Sequence, residues 1–225
     1  MKLTICVKSC QAHLERGDHH VIRGTWGKDA KALGIDVRFF VGASSHPTKM
    51  INYQSDETSL KCPDDYDGLP YKTREICRWA NGKMVDYLFL ADNDTFLVPR
   101  KMLQTGFEKY DYVGKIDRDP RVPFPYEASS RERYLKLDKC FPWASGGFGY
   151  FLSRKAFQEV AFDTPTNWAE DLWVAQVLGP SIASEDMKAL NTPRNIYSWH
   201  CPQHGEIYDG KVLHDWINQM YRDFK

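Results

Sequence analysis

One stretch constrains the fold of this chain more than any other: Asp86-Tyr-Leu-Phe-Leu-Ala-Asp92-Asn93-Asp94-Thr95-Phe96. The apolar run Tyr87–Ala91 has the length and composition of a buried strand, and it ends on two carboxylates one residue apart. In an α/β protein the crevice outside the carboxyl ends of the sheet is the usual ligand site. Hard divalent cations seek oxygen ligands there while leaving positions free for phosphate. A site for a nucleotide carrying a sugar is the leading expectation. The spacing alone does not decide it, because Asp-x-Asp recurs at Asp65/Asp67 and at Asp117/Asp119. The former sits among Pro63, Gly68 and Pro70 and the latter precedes Pro120, so both read as solvated turns. A turn or helix cap remains the alternative for Asp92 and Asp94 as well.

The flanking pattern predicts an α/β fold. Leu3–Val7 and Val37–Val41 read as strands with a helix between them that ends near Gly34. Thr73–Val85 has helical spacing, with Ile76, Trp79, Ala80 and Met84 as its apolar stripe. A helix over Pro99–Phe107, a strand at Tyr112–Gly114, a helix from Lys155 and a last helix in the tail after Tyr208 follow. His46–Pro70 reads as polar and turn-rich. This alternation implies a mainly parallel sheet with helices on both faces. The charged, proline-bearing segment Arg118–Lys139 reads as a long mobile loop. With 225 residues, no repeats and no linker, a single domain over 1–225 is the simplest organisation.

Composition removes several functions. Zero formal net charge argues against a surface for nucleic acid. No apolar run reaches membrane-spanning length, and Met1–Val7 is too short for a signal peptide. The chain as given is therefore expected to be soluble and cytoplasmic, the alternatives being an excised Golgi-lumenal domain or one domain of a larger enzyme. Six cysteines without a Cys-x-x-Cys pair argue against zinc and read as buried thiols.

Three further constellations carry chemistry. Gly146-Gly147-x-Gly149 lacks the third glycine of a dinucleotide fingerprint, so it reads as a backbone wall beside a ligand or as a tight turn. Glu170-Asp171 opens an apolar helical run that Gly179 can end. Its carboxylates suit the first turn of a helix, or one of them removes a proton from a hydroxyl. His200 lies in the aromatic, strand-like run 196–202 that stops at Pro202, as a packed side chain or as a metal ligand beside carboxylates. His204 is the fallback, and His13, His19, His20, His46 and His214 have surface-like surroundings.

In series, these pieces resemble the Fringe and core 1 β1,3-galactosyltransferase family. Arg23-Gly-Thr25-Trp26 is similar to its Arg-x-Thr-Trp segment, and Leu69-Pro-Tyr-Lys72-Thr73 to its Leu-Thr-x-Lys-Thr. Leu88-Phe-Leu-Ala-Asp92-Asn93-Asp94-Thr95 resembles its segment ending in Asp-Asp-Asp-Thr. Ser145-Gly146-Gly147-Phe-Gly149-Tyr150 resembles its Gly-Gly-Ala-Gly-Tyr, Glu170-Asp171-Leu172 its Glu-Asp-Val/Leu, and Trp199-His200-Cys201 its Val-His-Cys. The resemblance implies a GT-A fold with a Rossmann-like sheet and an inverting transfer of a hexose (galactose, glucose or N-acetylglucosamine) from a UDP-sugar. The acceptor would be a hydroxyl of a glycan or glycoprotein, through a β1,3 linkage. It implies Mn²⁺ (or Mg²⁺) held by Asp94, Asp92 and His200, with Asp171 as general base. Lys8, Arg23, Lys72, Asp92, Asn93, Gly146 and Gly147 become the donor-contacting positions. Trp143 and Phe148 read as an apolar platform for a sugar face or, more commonly for aromatics before a glycine turn, as core. Two features depart from the family: Asn93 replaces the middle aspartate, and the usual anchor and stem are not seen. A catalytically silent nucleotide-sugar-binding module on the same fold is the alternative; it has no need of a carboxylate base. A metal-dependent phosphoryl transferase is disfavoured by the lack of a Walker-type loop.

Overall fold

The computed structural model describes residues 1–43, 53–117, 142–179, 182, 184–186, 196–202 and 210–225. Seven strands form the main sheet: β1 (Leu3–Lys8), β2 (Asp36–Gly42), β3 (Glu57–Leu60), β4 (Tyr87–Asp92), β6 (Tyr112–Gly114), β9 (Tyr150–Ser153) and β10 (Ser184–Asp186). Their order is β10-β6-β9-β4-β1-β2-β3. All pairings are parallel except those of β9, which runs antiparallel to both β4 and β6. Two short antiparallel pairs complete the strands: β5 (Thr95–Leu97) with β11 (Ser198–His200), and β7 (Ile116–Asp117) with β8 (Trp143–Ala144).

The period of two along each central strand divides the core into layers. Cys6, Leu88, Leu90, Tyr150 and Leu152 face one layer, and Leu3, Ile5, Val7, Phe89, Ala91 and Phe151 face the other. On the first face lie α4 (Leu69–Asn81), α6 (Arg154–Phe162) and α7 (Glu170–Leu178). On the second lie α2 (Asp18–Gly24), α3 (Trp26–Ala32), α5 (Pro99–Met102) and α8 (Gly210–Phe224). The same alternation points Lys8 and Asp92, paired in register at the ends of β1 and β4, toward α4 and α7. The expected α/β architecture holds.

Several local expectations are corrected. The single helix expected before Gly34 is three short ones, α1 (Gln11–Arg16), α2 and α3. The first break falls at Gly17, where φ is +88°, and the second at Thr25, whose hydroxyl bonds back to the Val21 carbonyl at 2.7 Å. The helix expected over Thr73–Val85 lies one turn earlier, because Pro70 suits its first turn and Gly82 caps its end. Ile76 and Ala80 are buried as expected, but Met84 is 83% exposed. The Pro99–Phe107 helix stops at Met102, and a 3₁₀ turn covers Phe107–Lys109. Within the turn-rich His46–Pro70 the structure adds β3. Arg118–Lys139, Asp119, Cys140 and His204 lie outside the described residues. Cys6, Cys62, Cys77 and Cys201 are buried free thiols. No helix among the described residues is long and apolar enough to cross a membrane.

Candidate active site

The carboxyl ends of β1 and β4 meet the first turn of α7 and the Gly146–Phe148 turn. Lys8, nearly fully buried, places Nζ 3.2 Å from Asp92 Oδ1 and 3.1 Å from Glu170 Oε2. Burial alone would lower this ammonium, yet the charges of Asp92 and Glu170 outweigh it and hold Lys8 above the ordinary lysine value. Glu170 is saturated: its Oε1 also accepts from Thr73 Oγ1 at 2.7 Å and from the Tyr150 hydroxyl. That makes Glu170 the knot tying α7 to β1, α4 and β9.

Asp171 differs from its neighbour. Its Oδ2 accepts from the Gly146 amide at 3.2 Å and its Oδ1 from Leu172 N at 2.9 Å, and it keeps partial exposure. Burial, then the charge of Glu170, push its carboxyl up to about 6. The two adjacent carboxylates thus differ: Glu170 is held by one ion pair and two hydroxyls, and Asp171 by two backbone amides with a raised carboxyl.

Asp94 and His200 meet across the β5/β11 pair, where His200 stands opposite Thr95 and Cys201 N bonds to the Asp94 carbonyl at 3.1 Å. His200 Nε2 lies 3.1 Å from Asp94 Oδ2. Burial opposes charging of the imidazole, but the bond to Asp94 and the charges of Asp94 and Asp92 raise His200. Thr95 ties the loop together, accepting from Asp92 N at 3.2 Å and donating to the Gly147 carbonyl at 3.0 Å. A Cβ on Gly147 would lie 2.8 Å from the His200 ring, and one on Gly146 would lie 3.3 Å from Glu170 Oε2. The glycine wall is needed because backbone passes directly against these side chains.

Carboxylate oxygens beside an imidazole match manganese or magnesium chemistry. Asp94 and His200 could hold such an ion. Among the described residues no group of three His, Cys, Asp or Glu stands gathered as a metal cluster. Asp92 is engaged by Lys8 instead, and burial and the charge of Asp94 raise its carboxyl despite that lysine.

The structure brings Lys8, Asp92, Asp94, Gly146, Gly147, Asp171 and His200 to one strand-end cluster, while Arg23, Lys72 and Asn93 are engaged by other protein groups. Arg23 bonds to Asp56 at 2.7 Å and to Glu57 at 2.6 Å and lies over the Phe39 ring. Lys72 donates to the Ser9 carbonyl and to Asp64 Oδ1 at 2.9 Å. Asn93 turns its amide to Asp18 Oδ2 at 2.9 Å, so it anchors the loop. Asp18, fully buried, also receives Arg16 at 2.6 Å and His214 at 2.9 Å, which explains the amide: a carboxylate at 93 would face Asp18. His19 is a further correction to its surface-like reading, being buried between Ser9 Oγ at 2.8 Å and Glu57 at 2.9 Å. Trp143 is buried against Ala169, Leu172 and Ala175 rather than lining an open face. Asp65 behaves as a turn residue, accepting from Gly68 N at 2.8 Å. Sequence reasoning passed over Lys115, whose Nζ lies 3.8 Å from the Phe148 ring centroid and whose charge opposes protonation of nearby His200. Its position just after a strand end was the available signal.

The main sheet is thus parallel but for one reversed strand, β9, and gathers carboxylates at its carboxyl edge, the arrangement of a GT-A fold. Two solved structures share that fold. One is a glycosyltransferase involved in the glycosylation of the major capsid of PBCV-1 (11% identity, 97% of this chain and 100% of that one, TM-score 0.51). The other is the galactosyltransferase LgtC in complex with donor and acceptor sugar analogs (8% identity, 97% of this chain and 96% of that one, TM-score 0.50). No protein of curated function matches. A family model described as galactosyltransferase matches residues 18–180, and the chain belongs to that family.

Proposed function

We propose that this glycosyltransferase moves a hexose (galactose, glucose or N-acetylglucosamine) from a UDP-sugar to a hydroxyl of a glycan or glycoprotein. It does so with inversion and the β1,3 regiochemistry of its Fringe-like and core 1-like resemblance. The observation that carries the reading is Asp171. Its carboxyl is pushed up to about 6 and held by the Gly146 amide in the cluster containing Asp94 and His200.

Asp94 and His200 would hold Mn²⁺ or Mg²⁺, with Asp92 adding negative charge, and the ion when bound neutralises diphosphate as the leaving group departs. Asp171 takes the proton of the acceptor hydroxyl as that oxygen attacks the anomeric carbon, and UDP leaves from the opposite face. Glu170, held by Lys8, Thr73 and Tyr150, keeps α7 in place and raises Asp171 by its charge.

The test is UDP release from UDP-galactose, UDP-glucose and UDP-N-acetylglucosamine with Mn²⁺, with and without simple glycoside acceptors. Turnover of at least one donor, lost in excess chelator and lost in Asp94→Ala, is expected. Full activity in chelator would remove the metal from the reading, and no turnover of any donor would favour a silent module.

A further inference from the structure

Tyr66 lies in the turn before α4 and is 70% exposed. It is not stranded on a remote surface. Its centroid is 6.0 Å from that of Trp168, tilted by 49°, and Trp168 stands two residues before Glu170, partly buried against the Trp143, Ala169, Leu172 and Ala175 cluster. Trp168 is thus anchored on one side while the Tyr66 ring beside it stays open. Trp168 stands three residues before Asp171 at the start of α7, so the aromatic pair lies at the helix end that carries the proposed base. Tyr66 is also held in place from below: its carbonyl accepts from Leu69 N at 3.1 Å, and α4 is locked to the site through Thr73 and Glu170.

An anchored aromatic pair beside a group that must deprotonate a hydroxyl has a specific use. A pyranose presents an apolar C–H face and a rim of hydroxyls, so a flat ring binds the face while a nearby carboxylate meets one hydroxyl. We propose that Tyr66, supported by Trp168, is the platform on which the terminal pyranose of a glycan acceptor stacks with a ring hydroxyl turned to Asp171. A serine side chain has no such face and serves as the contrasting acceptor. This rests on the reading of the site as a hexosyltransferase and adds the acceptor subsite to it.

The experiment measures KM for acceptor and donor separately, with UDP-galactose or whichever UDP-sugar the wild type turns over. Methyl glycosides of galactose, N-acetylglucosamine and N-acetylgalactosamine and a serine-containing peptide serve as acceptors. With the best glycoside, Tyr66→Ala should raise acceptor KM on the order of 10-fold, with donor KM within about twofold of wild type. Tyr66→Phe should restore acceptor KM, because the ring and not the hydroxyl carries the contact. The exposed position makes the alanine variant safe for folding. An unmoved acceptor KM in Tyr66→Ala, an equal rise in donor KM, a phenylalanine variant as impaired as alanine, or efficient transfer to the peptide each overturns the platform. A wild type that releases UDP from no donor overturns the hexosyltransferase reading and the platform with it, a result distinct from all of these.

Discussion

Replacing Asp171 by asparagine should make the protein nearly inactive and should raise its stability relative to wild type as pH rises from 4 to 8. The carboxyl rises from 3.8 to about 6, chiefly through burial and then the charge of Glu170, and that lift is net of the two backbone amides that favour its charged form. Two pH units correspond to about 3 kcal/mol between the protonated and ionised states. Discounting for partial exposure leaves about 1–3 kcal/mol. The sign follows from linkage. With a folded value above the unfolded one, the ionised carboxylate destabilises the native state fully above about pH 6 and not at all below about pH 4. Asparagine is neutral throughout and, whatever the pH, sets its NH₂ against one of the two backbone N–H donors, so the stability of Asp171→Asn relative to wild type should rise between pH 4 and pH 8. At about 2–4 °C per kcal/mol for a chain of this size, the gain is roughly 3–10 °C. The melts are best run in EDTA, so that a bound cation does not itself lower the carboxyl. Transfer by the same variant should fall by about 10²–10⁴-fold, while wild-type kcat/KM should fall tenfold per pH unit below about pH 6. A variant whose stability relative to wild type is the same at both pH values would refute the energetic account. A variant that transfers sugar normally would refute the base, and an inactive Glu170→Gln of unchanged stability would move the role to its neighbour.

Asn93→Asp sets a carboxylate against buried Asp18 in place of the 2.9 Å amide bond and should cost about 1–3 kcal/mol. Urea melts of a cycle with Asp18→Asn should show coupling, and strict additivity would refute the contact. Gly147→Ala puts a methyl 2.8 Å from the His200 ring and should weaken Mn²⁺ affinity about tenfold or more; an unshifted metal titration would mean that His200 is not a ligand. Glu170→Gln leaves Lys8 in a buried setting with one counter-charge fewer and should lose about 3 kcal/mol. An unchanged denaturation midpoint would show that this knot does not hold α7.

The strands β1, β2, β4 and β6 were legible in the sequence because each is a short continuous apolar run, as expected of a strand buried on both faces, which needs no partner to be read. The strand end carrying Asp92 and Asp94, and the helix start carrying Glu170 and Asp171, were legible for the same reason: each sits where an apolar run meets polar residues. Helix ends were less legible. An apolar stripe repeats almost every turn, so sliding α4 by one turn leaves its pattern intact, and Gly82 rather than the stripe sets the end. The strands β3, β5 and β10 have three or four residues and no continuous apolar run of their own to mark them, whereas β11 falls in the strand-like run 196–202. Only tertiary structure decided which carboxylate is free. Glu170 and Asp171 are equivalent in sequence, and the difference comes from Lys8, 162 residues away, reaching one and not the other. Likewise Asn93 is a departure from a motif until Asp18, 75 residues earlier, supplies the charge that makes an amide the fitting residue. Local pattern reports burial, whereas charge balance is settled between groups that meet only in the folded chain.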